Sequence, residues 1–134
     1  GPFEAVLAFM PHDGARTIAT IDAIERVSDD VLLPLTGSTL RSALEIPQPT
    51  SGLELEGEGL AFCAAKDSDD GEWVVLRAVN LSDEPREGAW RLGFPVTEAR
   101  RSRLDETPGD GREVHDRRVP FTAGPREIVT VLVQ

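Results

Sequence analysis

The chain has 134 residues, 40% apolar and 28% charged, with a net charge of −10, which suits one domain with one core and is too little for two. Such acidity excludes a phosphate-tracking surface, because nucleic-acid affinity rests on basic contacts, and no apolar run approaches the roughly 20 residues of a membrane helix. The single cysteine, Cys63, excludes an internal disulfide and a cysteine-rich metal site.

No basic segment followed by an apolar one marks a signal peptide, so a cytoplasmic protein is expected. The chain begins Gly1-Pro2 without a methionine, which reads as a fragment of a longer chain with residues 1–2 as a cloning scar. One domain over residues 1–134 is the expectation.

In chain order, Phe3 to Met10 (FEAVLAFM) is the first strand candidate, ended by Pro11. After the loop Pro11-His12-Asp13-Gly14, the apolar period changes. Ile18, Ile21, Ile24 and Val27 form one stripe of a short amphipathic helix over Ala15–Val27. Asp13 is expected to cap it, Ser28-Asp29-Asp30 to close it, and Val31–Leu35 to leave as an extended piece. Within Gly37–Thr50, Ser42–Ile46 is a weak strand candidate stopped by Pro47 and Pro49. Leu53–Glu56 is a further short strand.

The centre of the chain reads as a hairpin. Leu60–Ala65 and Trp73–Val79 are apolar runs of strand length around Asp67-Ser68-Asp69-Asp70-Gly71, with Asp70-Gly71 as the positive-φ pair. The second run is apolar on both faces, so it is expected to be internal. Cys63, inside the first, reads as a small buried hydrophobe.

Gly88–Phe94 places Trp90, Leu92 and Phe94 on one face. Glu98–Leu104 is strand-like but polar and is expected at an edge, and Thr107–Gly111 reads as a turn-rich loop. Val119–Thr122 is a short strand, and Ile128–Val133 (IVTVLV) is a buried closing strand. Eight to nine short strands with one helix near the N-terminus predict a mainly β chain, an antiparallel β-sandwich.

The residues announce little chemistry. His12 and His115 have no His or Cys at ligand spacing. The acid-rich turn Asp67–Glu72 fails the spacing of a calcium loop, because Gly71 stands where a ligand belongs. Asn80-Leu81-Ser82 fits a glycosylation sequon, but the turn reading is favoured. No phosphate loop, nucleophile elbow or nucleophile–base spacing is present. The loop Pro11–Arg16 gathers an imidazole, a carboxylate and a guanidinium before a helix, so His12, Asp13 and Arg16 are the candidates for contact with a polar ligand.

The chain resembles the C-terminal β region of family 38 glycoside hydrolases, the α-mannosidases. Four stretches carry the resemblance: Phe3–Arg16, ending its strand in Met-Pro-His-Asp-Gly; Ala64-Ala65-Lys66 with Leu76-Arg77-Ala78-Val79-Asn80, Ser82 and Pro85; Glu98–Glu106, with Leu104-Asp105-Glu106; and Pro125-Arg126-Glu127-Ile128-Val129-Thr130. Two positions depart from the usual pattern: Ala15-Arg16 stands where an acid and a Trp follow the Gly, and Arg126 stands where Phe is usual.

The resemblance implies a retaining hydrolase whose aspartate nucleophile and zinc or similar divalent ion belong to an absent N-terminal α/β domain. No residue here matches either motif, so no catalytic residue, metal ligand or cofactor is expected in this fragment. The implied partners are the catalytic and helical domains of its own parent chain and, through the parent, an α-mannoside; neither nucleic acid nor membrane is expected. A loop of such domains can supply an arginine near the substrate, which points again to His12, Asp13 and Arg16. The alternative is a self-standing carbohydrate-binding or adhesion-type sandwich, which needs exposed aromatic rings. The chain has no Tyr, and Trp73 and Trp90 both read as core.

Overall fold

Strand-forming sequence dominates the second half of the chain, and the computed structural model resolves it into two packed sheets. Residues 1–3, 5, 7–33 and 52–134 are described. The strand candidate Ser42–Ile46 and the end of the piece Val31–Leu35 lie outside them.

One helix, α1 (Ile18–Leu32), precedes eight strands: β1 (Leu53–Glu56), β2 (Leu60–Asp67), β3 (Val74–Asn80), β4 (Arg86–Leu92), β5 (Ala99–Ser102), β6 (Pro108–Arg112), β7 (Arg118–Ala123) and β8 (Ile128–Val133). Sheet one has the order β1-β4-β7 and sheet two β2-β3-β8-β5-β6, every pairing antiparallel. The fold is a mainly β sandwich, as expected.

Period-two alternation decides which side chains meet between the sheets. β7 alternates without exception and sends Val119, Phe121 and Ala123 inward. From the same sheet come Trp90 and Leu92; from the facing sheet come Leu76, Ala78, Val129, Val131 and Val133. Trp90 is fully buried, edge-on to Phe62 and tilted against Phe121, at centroid distances of 6.1 and 6.3 Å. Its indole Nε1 has no acceptor among the described residues. β3 and β8 are internal and also bury Val75, Thr130 and Leu132 on their outer face, which is why both read as apolar on both sides.

Several expectations are corrected. The described residues between 3 and 10 form no strand, and Phe3, Leu7 and Phe9 are 92%, 80% and 89% exposed. The helix runs through Ser28-Asp29-Asp30 to Leu32, with Val31 helical rather than extended. It stops where Pro34 disfavours helical dihedrals for its neighbour. β5 is internal, between β8 and β6, and the edge is β6, in the stretch expected as a loop. All five β6 residues are exposed, so no alternation marks the strand.

In the hairpin only Gly71 has positive φ (75°); Asp70 does not. The turn is longer than a two-residue one, closed by Ser68 N–H to Trp73 C=O and Gly71 N–H to Ser68 C=O, at 2.8 and 2.9 Å. Trp73 is therefore a half-buried turn residue, not core. Cys63 is exposed: β2 is an edge strand, and a register shift between Phe62 and Ala64 turns Cys63 out of the ladder. Phe94, past the end of β4, is 37% exposed.

Candidate functional site

The loop before α1 is built from short-range bonds. Gly14, at φ 85°, donates its N–H to His12 Nδ1 (3.1 Å), and Ala15 N–H reaches Asp13 Oδ1 (3.0 Å). Asp13 is therefore a turn residue and not the cap. The cap is Thr17, whose extended backbone lets Oγ1 accept from Thr20 N–H at 3.2 Å. Capping requires an acceptor at the residue adjoining the first helical turn, and Asp13 lies four positions too early.

This loop, α1 and two sandwich loops enclose a groove of about 450 Å³ whose lining includes His12, Arg16, Glu25, Leu81 and Arg126. Of the three candidates, His12 and Arg16 meet there, while Asp13 is spent on its own turn. Leu81 and Arg126 come from distant sequence. Arg126 Nε donates to Asp83 at 2.8 Å, and Arg16 Nη1 lies 3.9 Å from the same carboxylate. Both pairs are solvent-exposed, so they orient the guanidiniums more than they stabilise the fold. Arg126 has φ 58°, a left-handed turn conformation that no sequence signal marks for an arginine.

Asn80 holds the sandwich side of the groove. Fully buried, it donates Nδ2 to the carbonyls of Glu84 (2.7 Å), Gly124 (2.8 Å) and Ala123 (3.3 Å). Its Oδ1 accepts from Ser82 N–H and Oγ, both at 2.8 Å. One amide thus ties the end of β3 to the 81–84 loop and to the turn after β7. Asn80-Leu81-Ser82 is a structural turn, and the buried amide is closed to a glycan.

A second polar cluster lies on the outer face of sheet two. Glu106, held at φ 63°, accepts from Lys66 (2.7 Å), Arg77 (2.8 Å) and Asp69 N–H (3.3 Å). Arg77 also donates to Leu104 C=O at 2.9 Å. Leu104-Asp105-Glu106 is thereby pinned across β2 and β3. The Lys66 ammonium holds the Glu106 carboxyl below its usual range, and Glu106 raises Lys66 in return. On sheet one, Arg118 and then Arg91 lower Glu56 in the same way.

The remaining chemistry is sparse. Asp70 accepts from Ser68 Oγ and Glu72 N–H, and these bonds lower its carboxyl, so the acidic turn spends its carboxylate on itself. Partial burial, then the charge of Glu25, pushes the Cys63 thiol up, which weakens it as a nucleophile. The His115 imidazole meets Glu113 at 3.2 Å, with both side chains exposed. Among the described residues no three His, Cys, Asp or Glu side chains come together to hold a metal ion. No helix among the described residues is long and apolar enough to cross a membrane.

No curated protein and no solved structure matches the chain. Residues 59–131, more than half of the 134, match the model of the glycosyl hydrolases family 38 C-terminal beta sandwich domain, and the chain belongs to that family.

Proposed function

We propose that this chain is a noncatalytic C-terminal β domain of an α-mannosidase-like glycoside hydrolase. It packs on the catalytic and helical domains of its own parent chain and shapes the substrate entrance through the loop carrying His12, Asp13 and Arg16. The nucleophile and a zinc or similar ion belong to the parent's catalytic domain.

One observation carries this reading beyond family membership. Of eleven large apolar side chains exposed among the described residues, seven fall before residue 34: Phe3, Leu7, Phe9, Ile24, Val31, Leu32 and Leu33. Concentrated exposure of this kind marks a surface that another body covers. Arg16 and His12 line a groove beside that surface, where a guanidinium and an imidazole can reach sugar hydroxyls.

Two measurements test the reading. The 134-residue polypeptide should not hydrolyse an aryl α-mannoside, and measurable turnover would remove the noncatalytic assignment. The gene upstream of the codon for Phe3 should carry several hundred further codons, with a His-x-Asp pair near their start. A start codon close to Phe3 would replace the accessory role with a self-standing one.

A further inference from the structure

Residues 103–112 join β5 to β6 and include β6, and all but one of them are exposed. The exception is Glu106. Leu104, the one large apolar side chain of the stretch, is 59% exposed, so no apolar anchor holds it. β6 has β5 as its single neighbour, with a register shift between Arg100 and Ser102. Glu106 is held at φ 63°, a left-handed conformation that a residue with a Cβ rarely keeps without a compensating contact. Its carboxylate makes that contact. Oε1 takes both Lys66 Nζ (2.7 Å) and Arg77 Nη2 (2.8 Å), and Oε2 takes Asp69 N–H (3.3 Å).

Leu76 and Ala78 point into the core between the sheets, so Val75 and Arg77 point away from it. Lys66 is the cross-strand partner of Val75, and Arg77 is the next residue along β3 on the same face. A carboxylate oxygen that bridges Lys66 and Arg77 therefore sits over Val75, which is fully buried although it faces outward. Leu132, the partner of Val75 on β8, is fully buried beside it.

We propose that residues 103–112 are a strap, closed over Val75 by the Glu106 carboxylate, that opens as one unit while the sandwich stays folded. A segment held by a few polar contacts opens at lower free energy than the internal strands beneath it. Opening uncovers an apolar row, Val75 and Leu132, that the closed form hides.

The test reads the opening at Val75 directly. In a Cys63→Ser background, Val75→Cys should be labelled by a small thiol reagent on the order of 10-fold faster once Glu106→Gln is added, and Val129→Cys, in the inter-sheet core, at an unchanged rate. Hydrogen exchange at Asp69 and Glu106, whose amides bond Glu106 Oε2 and Arg103 C=O, should quicken together in the same variant, with the amides of β8 unchanged. A glutamine can still accept one bond from Lys66, so Glu106→Gly decides the matter: it relieves the left-handed backbone and removes the carboxylate. Fast labelling at Val75→Cys is expected there as well. Slow labelling in Glu106→Gly would overturn the strap, because the carboxylate would then not be what closes it. Equal acceleration at Val75→Cys and Val129→Cys would also overturn it, because the whole sandwich would then be opening.

Discussion

Two apolar stretches of this chain, similar in length and strand propensity, meet opposite fates. Ile128–Val133 becomes β8, flanked by β3 and β5, with five of its six side chains buried. Phe3–Met10 joins no sheet among its described residues and leaves Phe3, Leu7 and Phe9 in water. Composition does not separate them. What separates them is the availability of two hydrogen-bonding edges and two apolar layers, which the sandwich provides at β8. A strand is completed by its neighbours, so apolar composition alone does not make one.

The comparison can be broken most forcefully in the sandwich. Leu132→Ala, at a fully buried position on the outer face of β8, should cost about 2–5 kcal/mol of unfolding free energy by urea titration. Asn80→Ala should follow at about 2–3 kcal/mol, because Glu84 and Gly124 carbonyls lose a donor and Ser82 loses an acceptor. Added exchange at the amide of Ser82, which donates to Asn80 Oδ1, would identify that cause. Thr17→Ala should lower the local stability of α1 by about 1 kcal/mol, read as faster exchange of Thr20 and Ile21 with an unchanged sandwich.

A smaller effect is expected from pH. Glu106 and Glu56 are held below the ordinary carboxyl value of 4.5, so the unfolded chain binds more protons as acid is added. Their contribution is complete above 4.5 and is lost as pH falls through it toward the lowered folded values. Thermal scans of Glu106→Gln should give a flatter acid limb than the parent sequence. Smallest of all, Leu7→Ala in the 134-residue polypeptide should change stability by less than about 0.5 kcal/mol. A loss comparable to that of Leu132→Ala would mean that the first strand-like stretch is already partnered within this chain.

The candidate site was legible in part, and the reason is local. Pro11–Arg16 signals a turn through Gly14 and through side chains that bond their own backbone, so His12 and Arg16 could be found from neighbours in sequence. Arg126 and Leu81 could not. They reach the groove because Asn80 bonds across 44 residues to Gly124, and no pattern near Arg126 announces its left-handed backbone. The same limit moved the sheet edge. β5 reads as polar because Arg100 and Arg101 extend to Glu98 and Glu127, yet it is internal.

By itself the sequence determined the sandwich class, the strands that became β7 and β8, and the family-like stretches, because these depend on short runs of strand-forming residues and on turn residues close in the chain. Tertiary structure alone decided which strand is the edge, which tryptophan is buried, that Cys63 faces outward, and that the described residues of the first apolar run join no sheet. Each of those depends on hydrogen-bonding edges and packing surfaces contributed by residues far away in sequence, and such surfaces exist only once the chain has folded.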